Sequence, residues 1–193
     1  MLQGNDIDRV LDAVGELLAA NEERVSIVVI GGAAPQLLGV IERATRDVDI
    51  VAVTRAPGDL QELVRPPEPL PPALESAIAQ VGSDFGLPEQ WMNREPAGQW
   101  DVGFPEGFAE RVEWRTHGGL DVGVASRLDL IFFKLEAAAD QLDSNSRHVG
   151  DLVALNPSDD ELERAGEWAW SKNAGPEYHD IIERVIRHVQ SLR

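Results

Sequence analysis

Cysteine is absent from this 193-residue sequence. Its absence excludes disulfides, thiolate metal sites and cysteine nucleophiles, and it is consistent with a cytoplasmic protein. Long apolar runs are missing as well, since none approaches the roughly 18 residues that a membrane-spanning helix needs. The first residues lack the basic and then apolar pattern of a signal peptide. We therefore expect a cytoplasmic chain with no membrane span.

Positively charged residues are few: the chain has 17 lysine and arginine residues and 34 aspartate and glutamate residues, which gives a net charge of −17. Lysine occurs only at Lys134 and Lys172. Such a chain has no broad basic surface of the kind that tracks nucleic-acid phosphates. A local pocket or a bound metal could still hold a nucleic-acid end, and a basic partner protein would suit the charge.

The pattern of apolar residues favours an α/β (α+β) fold, with a mixed sheet flanked by helices and a helical C-terminal part. We expect residues 1–125 to form the α/β core and residues 126–193 to pack on it as one compact unit. Hydrophobic residues make up 43% of the chain, which is enough for a sizeable core. The predicted strands cover residues 25–30, 47–53, 111–115 and 120–124, and the predicted helices cover residues 6–20, 33–41, 73–81, 126–142, 147–155 and 158–171 and the segment from residue 176 onward. Residues 82–109 are too rich in Gly, Pro and Trp to assign.

Two aspartates begin the second predicted strand, where Asp47 and Asp49 alternate with Val48 and Ile50. Residues two apart on a strand point to the same face, so the carboxylates lie roughly 7 Å apart at the backbone. Both can then bind one Mg²⁺ or Mn²⁺ ion, which takes its remaining ligands from water and substrate phosphates. Phosphoryl and nucleotidyl transfer need such a site, although an isolated Asp-x-Asp is more often a solvated strand face.

Gly31 and Gly32 follow the first predicted strand directly and precede a helix. Glycines let the backbone approach a phosphate, and a helix N-terminus offers free N–H groups. When the pair is considered alone, a tight strand-to-helix turn with no ligand is the favoured explanation. The Gly pair and Asp-x-Asp in this order and spacing are more specific than either motif.

The segments Ile30-Gly31-Gly32 and Arg43 to Ile50 together resemble the signature of the nucleotidyltransferase superfamily, which has the DNA polymerase β-like fold. The form Arg-x-Thr-x-Asp-x-Asp is similar to the branch of AbiEii-type toxins of toxin–antitoxin and phage-defence systems, and to related bacterial nucleotidyltransferases. This resemblance implies a cytoplasmic transferase that uses an NTP. It further implies that Asp47 and Asp49 hold the metal, and that Gly31, Gly32 and Arg46 contact the nucleotide.

Further residues are implied by the same resemblance. Lys134-Leu135-Glu136-Ala137 matches a Lys-Leu-x-Ala helix, which makes Lys134 a phosphate or leaving-group contact. Asp151 lies in a matching downstream element, where it would orient Lys134 or bind metal or substrate. Many members of the superfamily also have a third carboxylate, for which Asp121 is the better candidate and Asp101 the other.

Three functions remain open on the sequence alone. The first is a metal-dependent nucleotidyltransferase that modifies a hydroxyl on RNA, protein or a small molecule. The second is a catalytically degenerate binding module on the same scaffold, acting with a partner in a toxin–antitoxin-like pair. The third is a soluble α/β domain whose Asp-x-Asp is only a solvated face.

Overall fold

The computed structural model describes residue 2 and residues 4–54, 63–140, 147–173 and 175–193. Residue contacts divide the chain into two compact units, Met1–Ser126 and Arg127–Arg193. A five-stranded mixed sheet with flanking helices forms the first unit and helices form the second, which confirms the predicted fold class. Their packing as one compact body stays a prediction. Within these ranges, no helix combines the length and the apolar character that crossing a membrane requires.

The N-terminal unit is built around a sheet with the strand order β3-β2-β1-β5-β4. In chain order its elements are α1 (Gly4–Ala20), β1 (Val25–Ile30), α2 (Ala33–Leu37), β2 (Val48–Thr54), α3 (Pro72–Phe85), β3 (Met92–Asn93), α4 (Gln99–Val102), β4 (Glu113–His117) and β5 (Leu120–Val124). β1 is central because its apolar run is buried on both faces. It lies parallel to β5 and antiparallel to β2, while β4 and β5 form an antiparallel hairpin.

Helices α1 and α3 contact each other, and α1 also contacts β4 and β5. One apolar stripe of α1 faces the core, with these residues fully buried: Ile7, Val10, Leu11, Val14 and Leu18. Trp91 is 1% exposed, and its indole N–H donates to the carbonyl of Ile78 in α3 at 3.0 Å. The carbonyl of Trp91 accepts from the N–H of Val48 at 2.7 Å. Trp91 therefore fixes the chain that enters β3 against both α3 and the start of β2.

Some predicted boundaries differ from the observed ones. The helix expected over residues 33–41 ends at Leu37, and residues 38–40 form a turn and a bend. The strand expected from Asp47 begins at Val48, so that Asp47 immediately precedes β2. The segment 82–109, unassigned from sequence, contains β3, α4 and a 3-10 turn over Glu95–Gly98. Its irregular, locally anchored structure gives no periodic apolar signal.

The C-terminal unit consists of α5 (Arg127–Asp140), α6 (Arg147–Ala154), α7 (Asp159–Lys172) and α8 (Pro176–Ser191). α5 contacts the other three helices and is buried on both sides, where it presents Phe132 and Phe133. A capping box starts α7: the Ser158 side chain accepts from the N–H of Glu161, whose carboxylate accepts from the N–H of Ser158. The end predicted for α5 near Leu142 falls outside the described residues.

The start of α5 is tied to the start of α7 by one ion pair. The Arg127 guanidinium donates to both carboxylate oxygens of Glu161, at 2.7 and 3.1 Å. It also donates to the carbonyls of Leu155 and Asn156. Because the carboxylate accepts from this cation, the pKa of Glu161 is lowered. The ion pair consequently stabilises the helical unit only while Glu161 is ionised.

Candidate metal centre and nucleotide site

The strand that carries Asp49 contains a β-bulge. Val28 pairs with Ala52 and the next residue, Val29, pairs with Ile50, which leaves Val51 as the extra residue of β2. A bulge changes the direction in which the following side chains point. Past it, Asp49 lies opposite Ile30, the last residue of β1. The bulge therefore sets the register that brings Asp49 to the glycine turn after β1.

Burial alternates along the start of β2. Val48 and Ile50 are 0% exposed, whereas Asp47 and Asp49 are half-buried. Alternate residues share a face of a strand, so the two carboxylates lie on the side that remains accessible. The predicted pairing of Asp47 with Asp49 on one face is in keeping with this alternation.

Gly31 lies directly beneath the Asp49 carboxylate. A Cβ atom at position 31 would lie 1.8 Å from Asp49 Oδ2 and 2.7 Å from its Cγ. The backbone of Gly31 also has a φ of +72°, a conformation that other residues adopt only with strain. Glycine is therefore required here twice, once by the backbone and once by the space that the carboxylate fills.

Gly32 makes a similar close approach to the residue that holds Asp47. A Cβ at Gly32 would lie 2.6 Å from Thr45 Oγ1. The Thr45 hydroxyl lies 3.3 Å from both the carbonyl oxygen and Oδ1 of Asp47. Thr45 is itself buried and exchanges two backbone hydrogen bonds with Leu2, at 2.7 and 2.8 Å. The glycine turn and the loop before β2 are thus packed against each other.

Asn93 is a site residue that the sequence did not indicate. In the parallel pairing of β2 with β3 it lies beside Asp49, and its Nδ2 donates to Asp49 Oδ1 at 3.3 Å. Sequence reasoning missed it because a two-residue strand has no periodicity to detect. Trp91, two positions earlier, is buried and fixes this segment to the core.

Neither candidate for a third carboxylate joins the aspartate pair. Asp121 lies beside Ser26 at the start of β1, whereas Asp49 lies beside the last residue of that strand. The buried Asp121 carboxylate instead accepts from Thr116 Oγ1 at 2.7 Å and pairs with Arg24 at 3.2 Å. The Asp101 carboxylate forms an exposed, bidentate ion pair with Arg65, at 2.9 and 3.0 Å.

The remaining predicted residues fall into two places. Arg46 is exposed and immediately precedes Asp47 in the N-terminal unit. Lys134 on α5 and Asp151 on α6 belong to the C-terminal unit, where Lys134 Nζ donates to Asp151 Oδ2 at 2.7 Å. Both side chains are buried, with exposed fractions of 7% and 2%. The structure thus pairs Lys134 with Asp151, and their predicted action on substrate stays a prediction.

The oxygen donors of the site suit a hard divalent cation. In the described part of the chain, no cluster of three or more His, Asp or Glu side chains has the arrangement of a metal site. Two carboxylates are nevertheless sufficient for Mg²⁺, which commonly keeps waters and takes further ligands from substrate phosphates. Gly31 leaves to the Asp49 carboxylate the space that a side chain at position 31 would fill. The residues present therefore fit the predicted ion.

A cavity of about 560 Å³ opens next to this site. Asn93, which contacts Asp49, forms part of its wall together with Arg65, Leu70, Met92, Arg94 and Glu95. Its volume falls in the range of roughly 300–1,000 Å³ that is typical of small-molecule pockets. The predicted metal site and a pocket of substrate size are thus adjacent within one unit.

Comparison with known proteins identifies the family. The model of a family described as a nucleotidyltransferase of unknown function, DUF6036, matches residues 8–156. The chain belongs to this nucleotidyltransferase family. The match confirms the predicted superfamily and includes the glycine turn and both aspartates, while membership of the AbiEii-type branch stays a prediction. No curated protein and no solved structure shows a significant match to the chain.

Proposed function

We propose that this member of the DUF6036 family is a metal-dependent nucleotidyltransferase that moves a nucleoside monophosphate from an NTP to a hydroxyl acceptor. The observation that carries the proposal is the position of the Asp49 carboxylate directly over the backbone of Gly31. A carboxylate and a side-chain-free turn at the same point allow one phosphate chain to meet both a metal ligand and backbone N–H groups. A strand face that is only solvated does not require this contact between the carboxylate and the glycine turn.

Asp47 and Asp49 would hold Mg²⁺ or Mn²⁺, which supplies charge neutralisation at the phosphate oxygens when bound. The turn at Gly31 and Gly32 would receive the phosphates, because neither residue has a side chain of its own to keep them from the backbone. The helix that follows has only five residues, so its dipole adds little. The backbone N–H groups of the turn therefore do most of the binding from this side.

Two basic residues, one in each unit, have proposed roles toward the nucleotide. Arg46 is exposed beside Asp47 and supplies a fixed positive charge for a phosphate oxygen. Lys134 has the phosphate or leaving-group role that the family resemblance implies, and Asp151 orients it through the 2.7 Å hydrogen bond. The cavity beside Asn93 receives the nucleoside or the acceptor hydroxyl.

Transfer of label from NTPs tests this function. The full chain is incubated with each α-labelled NTP and Mg²⁺, with tRNA, with small hydroxyl compounds and with itself as acceptor. We expect labelled product from wild type and at least a 100-fold loss for Asp49→Asn, because the isosteric amide cannot offset the metal's charge. Asp160→Asn is the matched control and keeps wild-type activity, since Asp160 is exposed on α7 and its carboxylate lies 3.9 Å from Arg164 of the same helix. Equal labelling by wild type and Asp49→Asn would contradict the proposal.

A second function is favoured by one feature of the site. Asp49 has the neutral Asn93 beside it, and the described residues contain no three-carboxylate cluster. A catalytically degenerate scaffold would retain the fold and bind a basic partner through its net charge of −17, as in a cytoplasmic toxin–antitoxin-like pair. Calorimetry separates the two functions. NTP binding that depends on Mg²⁺ and both aspartates supports the enzyme, whereas a tight complex with a basic protein and no NTP binding supports the module.

A further inference from the structure

Asn93 is the immediate neighbour of the proposed metal ligand Asp49. The two residues are paired in the parallel register of β2 and β3, and Asn93 Nδ2 donates to Asp49 Oδ1 at 3.3 Å. The other oxygen of the same carboxylate lies over Gly31. Asp49 is thus held on one side by an amide donor and confined on the other by the glycine turn, which fixes where its lone pairs point.

The orientation of the Asn93 amide is determined by its other contacts. The backbone N–H of Glu95 points at Asn93 Oδ1 with a separation of 2.8 Å, and the carbonyl of Gln90 lies 3.4 Å from Nδ2. The opposite orientation would set an NH₂ group against the Glu95 N–H and a carbonyl against the Asp49 carboxylate, and both contacts would be repulsive. The amide oxygen is therefore committed to Glu95 and faces away from Asp49.

This arrangement limits the charge that the site can bind. Asp47 and Asp49 contribute two negative charges, which one divalent cation neutralises, and the Asn93 amide presents hydrogen atoms to Asp49. The described residues add no further acidic cluster. We infer that Asn93 is a positioning residue for Asp49 and that the Asp47–Asp49 site takes a single divalent cation before a nucleotide arrives. This inference rests on the proposed function, because it assumes that the aspartates bind metal.

Titration of the nucleotide-free full chain with Mn²⁺ tests the inference by calorimetry. We expect wild type to bind one ion. Asn93→Ala should still bind one ion but roughly 10-fold or more weakly, which is the effect that residues holding a metal ligand typically have. Asn93→Asp keeps the size of the side chain and sets two carboxylates against each other, so its metal-free thermal midpoint falls and Mn²⁺ raises that midpoint more than in wild type.

Asn21→Ala is the control, because Asn21 is exposed and its amide donates only to the carbonyl of Leu17 at 2.8 Å among the described contacts. It should bind Mn²⁺ as wild type does. The inference is overturned if wild type binds two ions or none, if Asn93→Ala binds as tightly as wild type, or if Asn93→Asp responds to Mn²⁺ no more than wild type does. Failure of the proposed function looks different: the Mn²⁺ results hold, yet no NTP is turned over.

Discussion

Replacing Gly31 by alanine should weaken metal binding by displacing Asp49, and Gly39 provides a closely matched control. The φ angles at the two positions are +72° and +70°, so alanine is strained to the same extent at both. That strain amounts to about 1–2 kcal/mol. At Gly39 a new Cβ meets nothing within 4 Å, whereas at Gly31 it would lie 1.8 Å from Asp49 Oδ2. Only the substitution at Gly31 forces the carboxylate to move.

The displacement of Asp49 adds a further loss of stability in Gly31→Ala. Moving Asp49 off its rotamer adds about 0.5–1.5 kcal/mol to the strain. Urea denaturation should therefore show a loss of about 1–2 kcal/mol for Gly39→Ala and about 1.5–3.5 kcal/mol for Gly31→Ala. Calorimetry with Mn²⁺ should show wild-type binding for Gly39→Ala and at least a 10-fold weaker affinity for Gly31→Ala. Equal Mn²⁺ affinity in the two variants would refute the claim that Gly31 is required by the Asp49 carboxylate.

Three further predictions concern stability. Asp121→Ala should destabilise the protein by roughly 1.5–3 kcal/mol, because a buried, charged hydrogen-bond acceptor is lost, while leaving Mn²⁺ affinity unchanged in calorimetry. Lys134→Met should cost about 3–5 kcal/mol in urea unfolding, since it removes the cation that donates to the buried Asp151 at 2.7 Å, and adding Asp151→Leu should recover most of the loss. No recovery would contradict this. Arg127 lowers the pKa of Glu161 from its ordinary value of 4.5. The free energy of unfolding of wild type should therefore exceed that of Glu161→Gln by its full amount above pH 4.5, and by less as the pH falls below 4.5. A difference that is independent of pH would contradict this.

The elements with a regular apolar period were predicted correctly. The buried run of β1, the stripe of α1 and the capping box at Ser158 all depend on neighbours within a few residues, so the sequence shows them directly. The end of the helix after Gly32 was placed too far along the chain. Apolar residues continue past Leu37, but the backbone turns at residues 38–40.

The site was predictable only where its residues lie in one motif. Asp47 and Asp49 are two apart, so strand geometry places them on one face without further information. Asn93 contacts Asp49 through strand pairing, although the two residues are 44 positions apart in the chain. No local sequence pattern predicts that contact. The bulge at Val51 likewise depends on how β1 and β2 pair.

The third carboxylate shows what strand register adds to a sequence motif. Asp121 lies near the start of a strand, and no sequence pattern indicates which end of the sheet it occupies. β5 runs parallel to β1 and antiparallel to β2. The start of β5 is therefore far along β1 from the Asp49 end, where Ile30 lies. The strand register therefore places Asp121 away from Asp49, and Asn93 is the neighbour of Asp49.

The most direct test of the central claim is calorimetric titration with a non-hydrolysable NTP, in the presence and absence of Mg²⁺. Wild type and the double variant Asp47→Asn/Asp49→Asn are compared. If the two aspartates form the metal centre of a nucleotidyltransferase, wild type binds the analogue only with Mg²⁺ and the double variant fails to bind it under either condition. Binding that is independent of Mg²⁺, or equal in the two proteins, would contradict the account.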